Sequence, residues 1–127
     1  MTQLRSRRGF TLIELMVVMA IIATLLTLVA PRYYKSVDRS KEVTLKQNLT
    51  LIRDALDKHY GDTGTYPESL EALVEKRYLR KVPIDPVTDT SGTWILVPPK
   101  DSGKGAVFDV HSGADGTSSN GTPFGEL

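Results

Sequence analysis

Hydrophobic and polar positions divide the chain into stretches of different period. From Phe10 to Ala30 it reads FTLIELMVVMAIIATLLTLVA, 21 residues with a single charge, Glu14, and neither Gly nor Pro. At about 1.5 Å of rise per residue this is about 31 Å of helix, the thickness of a bilayer's hydrocarbon core. A helix apolar on every face for that length is hard to bury in a small domain, so the pattern predicts a membrane span. Beyond Pro31 polarity returns, yet Leu45, Leu49, Ile52 and Leu56 recur at spacings of four, three and four, one apolar stripe. The prediction is one long, gently kinked helix: a transmembrane half at 10–30, then a continuation at 31–60 whose stripe packs on a globular domain. Gly61 and Gly64 are expected to end it.

Further on the periods shorten. Thr65-Tyr66-Pro67 reads as a turn, and Leu70, Leu73, Val74 and Leu79 within ESLEALVEKRYL predict a short second helix that Pro83 and Pro86 keep from continuing. Thr93 to Val97 and Ala106 to His111 are β-branched and aromatic runs joined by PPKDSGKG, the pattern of an antiparallel hairpin. Ser112 to Leu127 is dominated by Gly, Ser, Thr and Asn, a loop or tail unable to build a core of its own. The fold class expected is α+β: a long N-terminal helix, half transmembrane and half amphipathic, on a small antiparallel sheet. Its divisions are a basic leader at 1–9, the span at 10–30, the helix continuation at 31–60 and a small α+β domain with a C-terminal loop at 61–127.

Charge orients this arrangement. The net formal charge is +1, but Arg5, Arg7 and Arg8 precede the apolar run with no acid before Glu14. Beyond Gly9 thirteen basic residues face fifteen acidic ones, −2, which supplies no long-range attraction for nucleic acid. Basic residues ahead of the span put the N-terminus in the cytoplasm and the rest outside. Ordinary signal-peptide removal is disfavoured, because the run ends Leu28-Val29-Ala30-Pro31 and Pro31 would follow any such cut. With no cysteine there is no disulfide and no thiolate-based zinc, haem or iron–sulfur site. Tyr33 and Tyr34 read as interfacial anchors.

Glu14 is out of place by energy. An ionised side chain inside a span costs about 2.5 to 3.5 kcal/mol on insertion scales. Either it snorkels, lying about 6 Å inside the start of the run, or it pairs with a positive group at the same depth. Once the leader is gone, the chain offers only a new N-terminal amine. Here the residues Arg8-Gly9-Phe10-Thr11-Leu12-Ile13-Glu14-Leu15 resemble the processing motif of type IV prepilins and type II secretion pseudopilins. The resemblance implies cleavage by prepilin peptidase between Gly9 and Phe10 and N-methylation of Phe10. It also implies pairing of Glu14 with a neighbouring subunit's amine during assembly, and a helix kink at Pro31. The Val82-Pro83-Ile84-Asp85-Pro86 and Ser112-Gly113-Ala114-Asp115-Gly116 stretches are similar to the major pseudopilin of type II secretion, within a pilin-like fold.

That resemblance brings calcium with it, since major pseudopilins often bind the ion in this C-terminal region. It points to Asp115 as ligand with Asp109 and Asn120 as helpers, against the plain alternative of an Asp-Gly turn. No catalytic set stands out: His59 and His111 have no nucleophile motif beside them, and Ser102-Gly103-Lys104-Gly105 lacks the spacing of a phosphate loop. The chain is therefore expected not to be an enzyme. The function implied is a pseudopilus subunit at the bacterial inner membrane, single-pass with a periplasmic domain. Its expected partners are further copies of itself, minor pseudopilins, the peptidase and an inner-membrane platform protein. The alternatives are a type IV pilin for adhesion, motility or DNA uptake, and a monomeric membrane-anchored enzyme or receptor.

Overall fold

A computed structural model describes residues 9–127, which fall into two units, one ending at Ser36 and one running from Val37 to Leu127. One helix, α1 (Leu12–Thr63), extends through both. It passes Pro31 without ending, passes Gly61 as well, and stops where Gly64 turns to φ +73° with its N–H on the Tyr60 carbonyl at 2.8 Å. Gly64 thus caps the helix, the positive φ being one that a residue without Cβ adopts at no cost.

In the first unit every described residue is exposed, and this part of α1 is long and apolar enough to cross a membrane. Pro31 has no N–H for the Thr27 carbonyl. The hydroxyls of Thr24 and Thr27 donate to the carbonyls of Ala20 and Ala23, both at 2.8 Å, two turns and one turn before the residue that Pro31 deprives.

The second unit is built on the apolar stripe of α1. Leu45, Leu49, Ile52 and Leu56 are all buried, and they share one core with Leu70 and Leu73 of α2 (Leu70–Glu75), Trp94, Val107 and Val110. Together these elements form the expected α+β arrangement. The sheet has two antiparallel strands, β1 (Ile95–Val97) and β2 (Asp109–His111), with Leu96 opposite Val110.

Both later elements are shorter than the sequence pattern predicts. Ser69 caps α2 by accepting from Ala72 N–H at 3.2 Å, but Arg77 turns to φ 65° and the Tyr78 N–H closes on the Leu73 carbonyl, ending the helix before Tyr78 and Leu79. In the hairpin, the N–H groups of Ala106 and Val107 donate to Pro67 O at 3.2 and 3.0 Å instead of to β1. Trp94 leaves the ladder as well, its indole N–H donating to Pro83 O at 2.8 Å. The connection between the strands holds a 3-10 turn, Ser102–Lys104, capped by the Asp101 carboxylate.

Where the 64–67 segment meets this connection, Gly105 sits at φ +106°, and a Cβ there would lie 2.1 Å from Tyr66 O. Gly105→Ala is expected to cost about 3 kcal/mol, combining a strained backbone with an impossible contact. Thermal unfolding of the purified variant checks this; an unchanged midpoint would mean the turn relaxes freely.

Candidate functional site

The segment that carries the processing motif enters the described structure at Gly9. Gly9 and Phe10 precede α1, both exposed, and no atom lies within 4 Å of where a Gly9 side chain would begin. Arg5, Arg7 and Arg8 of the leader lie outside the described residues. The bond between Gly9 and Phe10 thus lies ahead of α1, between two exposed residues.

Thr11 and Glu14 start the helix by mutual capping. The Thr11 hydroxyl accepts from Glu14 N–H at 3.2 Å, and Glu14 Oε2 accepts from Thr11 N–H at 3.2 Å. Two of the four N–H groups that an α-helix leaves without partners at its start are satisfied this way. The carboxylate is thereby held at the positive end of the helix, one residue from the position where cleavage would leave an amine. Thr-x-x-Glu ahead of an apolar run was a visible signal for this arrangement, and reading Glu14 only as a charge in a span passes over it.

The other candidates lie in the second unit. The Asp109 carboxylate receives Arg53 Nε at 2.8 Å and its own neighbour's N–H, from Val110, at 2.8 Å. His111 Nε2 lies 4.0 Å from its other oxygen. Asn120 Oδ1 accepts from the Ser118 hydroxyl and from Thr122 N–H, so it organises a turn. Asp115 is exposed beside Gly116, which is at φ +97°, the geometry of an Asp-Gly turn. A hard cation needs several oxygens converging on one point. These three side chains are committed to separate partners or to solvent, and no group of three or more acidic, His or Cys side chains suited to a metal occurs among the described residues. The donor set does not fit calcium.

Two buried polar residues continue the stripe of α1 at its own spacing: Glu42, which the sequence pattern does not single out, and His59, which that pattern already places as a packing or surface residue. Three residues before Leu45 stands Glu42, and three after Leu56 stands His59, 9% and 1% exposed respectively. His59 Nδ1 is 2.7 Å from Thr65 O, while Nε2 is 3.2 Å from Lys76 Nζ, so the ring ties the end of α1 to the residue after α2. It is a packing residue. Nearby, the Tyr78 hydroxyl donates to Asp62 at 2.7 Å, and that bond to a carboxylate raises the phenol above its ordinary value. Lys104 is raised too, chiefly by its hydrogen bond to the Tyr60 hydroxyl.

Comparison with known proteins places these features. The family described as "Prokaryotic N-terminal methylation motif" matches residues 4–30. Type II secretion system core protein G of Pseudomonas aeruginosa is 36% identical, over 90% of this chain and 88% of its own length. The protein of the same name from Klebsiella michiganensis is 32% identical over 88% and 87%, and that from Escherichia coli K12 is 31% identical over 87% and 83%. No solved structure matches. Identity that runs from the methylation motif through the α+β domain, at this level and coverage, means that the chain belongs to the type II secretion system core protein G family, the major pseudopilins.

Proposed function

We propose that the chain is the pseudopilus subunit of a type II protein secretion system. Prepilin peptidase cuts it between Gly9 and Phe10 and methylates Phe10, and the subunits then polymerise through the apolar half of α1. Growth of the fibre drives exoprotein export. The subunit waits in the inner membrane with its leader in the cytoplasm and residues beyond the span in the periplasm, the orientation favoured by Arg5, Arg7 and Arg8. Its role is structural rather than catalytic, and its partners are further copies of itself, minor pseudopilins, the peptidase and an inner-membrane platform protein.

The observation that carries this reading is the pairing of an apolar, exposed first half of α1 with a prepilin-type start, in a chain similar along its length to core protein G. An apolar surface of that size is stable only in lipid or against other helices, and polymerisation exchanges the first for the second. Glu14 supplies the register, its carboxylate meeting the amine of a neighbouring Phe10. Pro31 marks where α1 yields: in the packed fibre the stretch 23–31 loses helical bonds around the Thr27 carbonyl.

N-terminal sequencing with mass spectrometry, on protein from cells containing the peptidase, tests the proposal. The expected mature start is methylated Phe10. A start at Met1, or a cut after Ala30, would remove the basis for the assembly mechanism.

A further inference from the structure

We infer that the C-terminal segment of this chain is closed by two side chains of α1, Glu42 and Arg53, and takes no calcium ion to hold it. This concerns the domain alone and stands whether or not the chain forms a fibre.

Polarity carries the argument. Calcium binds oxygens that accept, whereas the segment turns donors towards α1: the N–H and the hydroxyl of Ser119 both donate to the Glu42 carboxylate, the hydroxyl at 2.9 Å. Both oxygens of the buried Glu42 carboxylate are taken by these donors, so neither is turned to a cation. Charge-assisted bonds of this kind are among the stronger ones a chain can make.

Arg53 performs the opposite task three turns on. Its Nε donates to Asp109 Oδ1, and Nη2 donates to Val110 O and to the backbone oxygen of Leu127, both at 2.9 Å. One carboxylate and two backbone oxygens around a positive centre is a partial ligand set for a hard cation, and here the guanidinium occupies its middle. The segment closes on itself between these clamps. Ser118 N–H donates to Thr122 O at 2.7 Å, Thr117 bridges to Pro123, and Phe124 and Leu127 pack on the core. A calcium ion would have to displace Arg53 or reverse the donors facing Glu42.

Calorimetric titration of calcium into the chelator-treated, detergent-solubilised full chain is the direct test, and it needs no variant. The expected result is no saturable heat and the same melting temperature in millimolar calcium as in chelator. Saturable binding accompanied by a raised melting temperature would overturn the inference. Glu42→Gln places an amide donor against the Ser119 donors, and Arg53→Met removes the fork while keeping the stem. Each is expected to lower the melting temperature by about 5 °C or more, with no recovery on adding calcium. A melting temperature unchanged in both variants would equally overturn it.

Discussion

Glu14→Ala is expected to abolish fibre assembly while leaving membrane insertion intact or improved. Two energies of opposite sign are separated by this change. Removing the carboxylate relieves the insertion cost of about 2.5 to 3.5 kcal/mol that a charge at the centre of a span carries, less here because Glu14 lies near one end. It also removes one half of the capping pair, freeing Thr11 N–H at a cost of about 1 kcal/mol, which frays the first turn without threatening a helix of 52 residues. What cannot be replaced is the negative partner for a neighbour's amine. In hydrocarbon an unpaired ammonium is a severe penalty, so each added subunit would carry it.

Glu14→Gln distinguishes pairing from capping. The amide can still accept from Thr11 N–H, so the helix start is kept, but it brings no charge to the amine. The expected outcome is failed assembly for both variants, with normal recovery in the membrane fraction, read by electron microscopy of sheared fibres and by exoprotein in the medium. Wild-type fibres from the Gln variant would show that Glu14 acts as a cap alone.

The architecture was legible in the sequence to the extent that it rests on period. Leu45, Leu49, Ile52 and Leu56 announce a buried helical face, and the structure buries all four. One step further at either end the same rule lands on Glu42 and His59, where residue type argues against burial. Partners beyond the helix explain them: Ser119 for one, Thr65 and Lys76 for the other. The strands are shorter than their pattern for a similar reason. Ala106 and Val107 look like strand residues, but their N–H groups find Pro67, a pairing that no local pattern encodes. Among the candidate ligands, Asp109 offers a carboxylate, but no local pattern encodes that Arg53, on a helix more than fifty positions earlier, claims it.

Asp85 is the residue whose loss is expected to damage the second unit most. It is fully buried, and each side-chain oxygen has its own donor: Oδ1 takes Val87 N–H at 2.9 Å and Oδ2 takes the Ser112 hydroxyl at 2.5 Å. Its backbone closes the same loop, N–H to Thr90 O at 3.1 Å and carbonyl to Asp89 N–H at 2.7 Å. One side chain therefore fixes the turn after Pro83 and fastens it to the first residue beyond β2. Asp85→Ala strands a backbone N–H and a hydroxyl that water reaches poorly, and it leaves a small void. Two unmade bonds of this kind cost about 3 kcal/mol together. For a unit of about 90 residues that lowers the melting temperature by about 10 °C or more. Asp85→Asn should lose much less, since the amide oxygen can take Val87 N–H while its nitrogen donates to a Ser112 hydroxyl that turns to accept. The decisive measurement is a double-mutant cycle with Ser112→Ala. If the two groups act as a pair, the double variant is less destabilised than the two single losses added together. Strict additivity would mean that Asp85 holds only its own turn, and that the segment after β2 is fastened by Glu42 and Arg53 alone.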